Sequence, residues 1–259
     1  MNDMTKKWFS YETVHPDADI NLFCFPHAGA GPGVYAYWGR TLSERFNFYP
    51  VHYPMRERRK NEPLPGSIQE LAASLVEENC RLFLEKPFAF YGHCMGGVTA
   101  YETVRALERL YGIKPVLTVV SSSAAPDCPV GQQIDEQMDI GELAEIFADM
   151  QYIQKDMAKD DMYVKYFIPV LKADYLLQQK YILKGRKKLG SPITVMFGDS
   201  DKQMTRDNLL KWKNFSSEDV SFMPVSGGHF FIDKDNASSM LGTIQQQILG
   251  KFEEGKLKQ

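Results

Sequence analysis

Cys94 stands between two glycines in Gly92-His93-Cys94-Met95-Gly96, directly after the apolar run Phe88–Tyr91 and before an amphipathic stretch that begins at Met95. A strand, a sharp turn and a helix start, in that order, is the setting in which a nucleophile is held on a strained turn. The residues two before and two after it must be small so that strand and helix can approach, and Gly92 and Gly96 meet that demand. The N-terminus of the helix supplies backbone donors and a positive dipole end, which lower a thiol pKa and stabilise a developing oxyanion. A packing cysteine would fit a bare GxCxG equally well, so the reading depends on whether an acid and a base follow.

Both do, in the order nucleophile, acid, histidine, each after a later strand pattern. Gly198-Asp199-Ser200-Asp201 follows Ile193–Phe197, and either aspartate could reach a histidine; Asp201 is favoured, with Asp199 as the fallback. Gly227-Gly228-His229-Phe230-Phe231 follows Val220–Val225, and His229 is the candidate base. Asp201 would accept the Nδ1–H of His229, leaving Nε2 to take the proton of Cys94. Two oxyanion donors are expected, the N–H of Met95 and, from the glycine-rich run Phe25-Pro26-His27-Ala28-Gly29-Ala30-Gly31, the N–H of Ala28. His93 and His27 read as packing residues, with His27 able to orient the oxyanion loop. His15 and His52 read as structural, and Arg56-Glu57-Arg58-Arg59-Lys60 reads as a solvated loop, with docking of an acidic surface as the lesser alternative.

The elements that must position these groups alternate. Strands are expected at Ile20–Phe25, Phe48–Tyr53, Phe88–Tyr91, Val116–Ser121, Ile193–Phe197 and Val220–Val225. Helices are expected near Val34–Ser43, Ser67–Phe83, Met95–Tyr111, Thr205–Phe215 and Ala237–Leu249, with Ser67 as an N-cap and Glu70 completing a capping box. That rhythm predicts an α/β fold with a mostly parallel sheet flanked by helices. It breaks after Ser123, where helical spacing in Gly141–Met150 and Tyr163–Tyr181 predicts a helical lid, residues 126–185, inserted within a single domain of residues 1–259. The charged tail Gly250–Gln259 is expected to fray.

The chain has 259 residues, 30 Lys+Arg against 33 Asp+Glu and a formal charge of −3, which gives no basic footprint for nucleic acid. No stretch approaches the roughly 18 apolar residues of a membrane span, and Met1–Tyr11 lacks the apolar core of a signal peptide. A cytoplasmic protein without membrane contact is expected. Four scattered cysteines, with no CxxC pair, predict neither a zinc site nor a disulfide framework; Cys24, Cys80 and Cys128 read as small buried hydrophobes.

Taken in order, FPHAGAG, YPMRER, GHCMGG, GDSD and GGHFF, with LKADY at Leu171–Tyr175, resemble the type II thioesterases of nonribosomal peptide and polyketide synthases, members of the α/β-hydrolase superfamily. The likeness spans about residues 20–250. It implies hydrolysis of acyl or aminoacyl thioesters from the phosphopantetheine arm of an acyl or peptidyl carrier protein; a monomer is the default expectation, and the mechanism requires no metal or organic cofactor. Carried over, the nucleophile falls on Cys94, the acid on Asp201, the base on His229 and the oxyanion donors on Ala28 and Met95. Two positions depart from the family pattern: Cys94 replaces the usual serine, and Met55 stands where glycine is common. With cysteine the acyl-enzyme is itself a thioester, so transfer to an amine or hydroxyl, including cyclisation, stands beside hydrolysis. Further alternatives are an engineered serine replacement, a cysteine-dependent lactone hydrolase similar to dienelactone hydrolases, and a non-catalytic carrier-binding protein.

Overall fold

A computed structural model describes residues 7–129, 131–183, 185, 188–232 and 234–257. Six strands, β1 (Ile20–Phe25), β2 (Phe46–Pro50), β3 (Phe88–His93), β4 (Leu117–Ser121), β5 (Ile193–Gly198) and β6 (Val220–Val225), form one sheet in the order β2-β1-β3-β4-β5-β6. Every pairing is parallel. The four inner strands are apolar along nearly their whole length because both faces are covered. Alternate residues serve the two faces. Phe23, Phe25, Phe88 and Phe90 meet α1 (Ile68–Glu85) and α2 (Met95–Tyr111), while Ile20, Leu22, Ala89 and Tyr91 join Tyr35, Trp38 and the last helix, α6 (Lys234–Lys256). Short antiparallel bridges from Phe9 and Thr13 cover the outer edge of β2.

The strand order fixes where a site can form. From β1 the chain moves one way to β2 and from β3 the other way to β4, so the carboxyl ends of β1 and β3 face a topological switch point. Phe25-Pro26-His27-Ala28 and Cys94 leave the sheet there.

Most expected elements lie within two residues of their places. Ser67 caps α1 by accepting the Glu70 N–H, although the Glu70 carboxylate turns back to Gly66 N–H rather than to Ser67. The helix expected at Val34–Ser43 is absent: two 3-10 turns, Pro32–Tyr35 and Trp38–Arg40, replace it, since Gly33 and Gly39 interrupt a stretch too short to propagate. The helix expected at Thr205–Phe215 divides into α5 (Arg206–Leu210) and a 3-10 turn, Lys211–Asn214. The tail expected to fray from Gly250 is helical to Lys256, because Ile248 and Phe252 on the same helix are buried against the sheet; Lys258 and Gln259 lie outside the described residues. None of the helices among the described residues is long and apolar enough to cross a membrane.

Between β4 and β5 lie α3 (Ile140–Asp149) and α4 (Asp161–Gln179), capped by Asp139 and Asp160, whose carboxylates accept first-turn N–H groups. Two ionic groups join this segment to the rest. Arg56 and Asp174, 118 residues apart, form a bidentate pair with both N···O distances 2.7 Å, and both side chains are buried. Arg56 also donates to the carbonyls of Ala30 and Pro54, and the second Asp174 oxygen accepts Gly29 N–H at 2.7 Å. The expectation of a solvated basic loop is therefore corrected. Arg56 and Arg59 are buried; Arg59 donates to the His52 carbonyl and lies 4.2 Å from the Trp8 ring centroid. The Arg56 guanidinium is kept inside because its donors are met by carbonyls and a carboxylate in a planar fork, whereas Arg59 pairs through its two terminal nitrogens with the His52 carbonyl and Glu62. Met55 has φ 66°, the left-handed region in which glycine is unstrained.

Asp174→Asn should lower the unfolding free energy by about 3 kcal/mol or more, since it leaves a buried guanidinium without its counter-charge; urea denaturation reads this directly. Gly96→Ala would drive a Cβ into the Phe25 carbonyl, with no flexible side chain to give way. A loss of about 3 kcal/mol is expected in the same measurement.

Candidate active site

Cys94 links β3 to α2 with φ 53° and ψ −117°, a strained conformation for a residue with a side chain. The turn survives because its surroundings leave no alternative. A Cβ on Gly92 would strike the Gly96 backbone, and one on Gly97 would come within 2.5 Å of Ser123. The Cys94 N–H donates to the Ser121 carbonyl at 2.8 Å, which binds the turn to the end of β4.

The structure brings all five sequence-predicted residues to this corner. His229 and Asp201 meet at 2.9 Å between Nδ1 and Oδ2, with both side chains about 1% exposed. Asp201 also accepts the Ser122 hydroxyl at 2.9 Å and the Gln203 N–H at 2.9 Å. Burial works against the charged carboxyl, but these donors together hold its pKa below the usual range. Asp199, the fallback, is exposed, and its carboxylate accepts Gly227 N–H at 3.0 Å. It therefore shapes the histidine turn rather than touching the imidazole. Gly198 is needed for the same closure, since a Cβ there would strike the carbonyls of Gly227 and Gly228.

Nε2 of His229 is buried without an aligned hydrogen bond, on the side of the ring opposite Asp201. Cys94 and His229 nevertheless act on one another. Burial pushes the Cys94 thiol up, but the imidazole, the Tyr152 hydroxyl and the Met95 N–H together bring it below its ordinary value. Burial pulls His229 down, whereas Asp201 and the Cys94 sulfur push it up to about 9. The pair thus favours thiolate and imidazolium. Two other histidines share the cluster, with ring centroids 5.9 Å apart for His27 and His93 and 5.7 Å for His93 and His229. Neither has a carboxylate partner among the described residues. Burial lowers His27 to about 4 and pushes His93 well down, so neither competes for the proton. His27 donates from Nδ1 to the Ala28 carbonyl at 3.0 Å, and His93 bonds Ser121.

Ala28 is buried in the turn after β1, where its neighbour Gly29, at φ 78°, is pinned by Asp174 and pressed by Leu171 and Phe167 of α4. Of the remaining predicted residues, His52 is buried and bonds Ser10, and His15 donates its N–H to Asn47. Cys24 is buried as expected, but Cys80 and Cys128 are only half-buried.

A cavity of about 310 Å³ opens beside Cys94 and His229, walled by Val98, Cys128, Tyr175 and Met204. A wider groove of about 1080 Å³ lies on the other side of Tyr152, against Tyr37, Tyr163 and Phe230. Ser122, Gln203 and Tyr152 escaped the sequence reading. Ser122 belongs to a run of three serines with nothing to separate it from its neighbours. Gln203 and Tyr152 lie in stretches without a motif. Asp174 lies in LKADY, a visible pattern whose partner was not.

Residues 20–248 match the thioesterase domain family. The chain is 29% identical over 234 residues to thioesterase PikA5 of Streptomyces venezuelae, covering 90% of this chain and 83% of that protein. It is also 29% identical over 234 residues to the medium-chain S-acyl fatty acid synthase thioesterase of Rattus norvegicus, covering 88% and 87%. Among solved structures, the type II thioesterase BorB from the borrelidin biosynthetic cluster superposes with a TM-score of 0.82 at 27% identity, covering 93% of this chain and 97% of BorB. The chain belongs to the thioesterase domain family and is a hydrolase acting on thioesters.

Proposed function

We propose that this protein is a type II thioesterase that removes acyl or aminoacyl groups from the phosphopantetheine thiol of carrier proteins, with Cys94, His229 and Asp201 as its triad. The observation that carries this reading is the buried Asp201–His229 pair held against Cys94 at the switch point of a thioesterase-family fold. The likeness to the type II thioesterase BorB of the borrelidin biosynthetic cluster and the family membership support the substrate class.

Cys94 attacks the thioester carbonyl as a thiolate. The carbonyl oxygen takes the charge and accepts the N–H groups of Met95 and Ala28. Collapse breaks the bond to the carrier sulfur, which leaves with the proton from Nε2 of His229. Water then gives a proton to Nε2 while its oxygen attacks the acyl-cysteine, and Cys94 departs as thiolate. Asp201 keeps Nδ1–H in place throughout and stabilises the imidazolium. The segment of residues 126–185 acts as a lid, closing the cavity with α3 and α4 inside a single domain of residues 1–259. The chain works as a cytoplasmic monomer without cofactor.

Since the Cys94 intermediate is a thioester, an amine or hydroxyl seated in the cavity can replace water, giving transfer or cyclisation as the second reading. The test is incubation with an acyl-phosphopantetheinyl carrier, following intact protein mass and released product. Acyl-Cys94 and free acid are expected; an amide on adding amines marks transfer. Cys94→Ala that releases acid at the parent rate would sink the mechanism. Asp201→Asn should lower kcat about 10³- to 10⁴-fold by losing the correct tautomer.

The pH dependence has a definite sign. A thiol pKa below the ordinary value of about 8.5 places the midpoint of Cys94 alkylation by iodoacetamide below that pH. In His229→Ala burial is no longer offset by the imidazole, and the midpoint should move to higher pH than in the parent. Mass-resolved alkylation between pH 5 and about 10 checks both directions.

A further inference from the structure

The Cys94 sulfur has a partner outside the triad. Tyr152 lies in the segment between β4 and β5, and its hydroxyl is 3.4 Å from Sγ. The end of α3 aims it there. Met150 caps the helix, Gln151 adopts φ 64°, and the N–H groups of Gln151 and Tyr152 return to the carbonyls of Ala148 and Phe147. This is the Schellman pattern of helix termination, with the expected apolar contact between Phe147 and Tyr152, ring centroids 5.9 Å apart. A left-handed glutamine, where glycine would be unstrained, shows that the turn is held by its surroundings. Gln203 contributes: its backbone N–H binds Asp201, and its side-chain amide donates to the Met150 carbonyl at 2.7 Å. The acid loop and the Tyr152 turn are therefore one connected unit.

We propose that Tyr152 is a further catalytic residue, whose hydroxyl donates to the Cys94 sulfur whenever that sulfur carries charge, at rest and again as Cys94 leaves the acyl-enzyme. The inference rests on Cys94 being the nucleophile. When the Sγ–C bond forms, negative charge passes from sulfur to the carbonyl oxygen and the phenol loses its acceptor. When water's oxygen bonds the acyl carbon and the Sγ–C bond breaks, with water's proton on His229, the charge returns to sulfur and the hydrogen bond re-forms. The phenol keeps its own proton throughout, and burial beside Cys94 raises its pKa well above the ordinary value. Room for the exchange exists, because Tyr152 borders both the Cys94 cavity and the outer groove. The assignment matters most for a cysteine enzyme. A thioester intermediate regenerates a sulfur anion, and the donor that stabilises the resting thiolate also makes it a better leaving group.

Tyr152→Phe retains the ring and removes only the donor. Its Cys94 alkylation profile should shift to higher pH, with the rate at pH 6.5 falling about tenfold, the size of a hydrogen bond to a charged group. In single turnover with an acyl-phosphopantetheinyl carrier, intact mass should show acyl-Cys94 persisting longer than in the parent. Gln203→Ala, which loosens the turn without touching sulfur, should move the profile in the same direction by a smaller factor, and it serves if Tyr152→Phe folds poorly. A lowered parent midpoint that both variants leave in place overturns the Tyr152 assignment alone. A parent midpoint at that of an ordinary thiol, indifferent to His229→Ala, overturns the nucleophile reading and Tyr152 with it.

Discussion

The buried pair between Arg56 and Asp174 is the interaction on which the arrangement of the site depends. It joins three stretches that lie far apart in the chain: the loop after β2, the turn after β1 that carries Ala28 and Gly29, and α4 of the inserted segment. An ion pair taken out of water is stable only if its remaining donors and acceptors are met. Here Ala30 and Pro54 carbonyls take the extra guanidinium hydrogens, and Gly29 N–H takes the second carboxylate oxygen. The last of these bonds fixes the turn that carries Ala28, the proposed oxyanion donor. The ion pair therefore acts as a positioning device that makes the turn after β1 and the inserted segment interdependent.

The elbow obeys a different constraint, one of space. Strand β3, helix α2 and the end of β1 approach so closely that Gly92 and Gly96 cannot carry a Cβ. Cys94 is forced into a strained turn, and its sulfur is delivered to the start of a helix with the Met95 N–H beside it. Around it the electrostatics are asymmetric. Three histidines crowd the corner, but only His229 is given a carboxylate, and only His229 is raised. Burial by itself makes imidazoles poor bases, and among the three only His229 has a partner that offsets it, which suits the proposed proton acceptor.

Cysteine in this place changes the energetics of the two half-reactions. On the proposed mechanism, attack on a carrier thioester would exchange one thioester for another, so the first step would be nearly balanced and the intermediate would stay reactive toward nucleophiles other than water. Around the sulfur an imidazole, a helix N-terminus and a phenol converge. Several donors around one sulfur suit the proposed cycle, in which that sulfur would carry negative charge twice.

Much of this was legible in the residues. The alternation of apolar runs and amphipathic stretches defined a parallel α/β sheet, because strands covered on both faces must be apolar throughout and helices must bury one stripe. The glycines around Cys94, Asp201 and His229 marked the three loops, because close backbone approach excludes every other side chain. Local pattern determined those features by itself. Tertiary structure alone decided the rest. Arg56 and Arg59 carry their charges in a run that reads as solvated, and it takes Asp174, 118 residues on, to neutralise Arg56 and the Trp8 ring to cover Arg59. The choice between Asp201 and Asp199 turned on which carboxylate reaches an imidazole 28 residues away. Tyr152 belongs to no motif, and it meets Cys94 only because a helix end 58 residues later in the chain folds back over the switch point. Short-range sterics and periodicity are written along the chain, whereas the pairing of charges and donors depends on distances that exist only after it has folded.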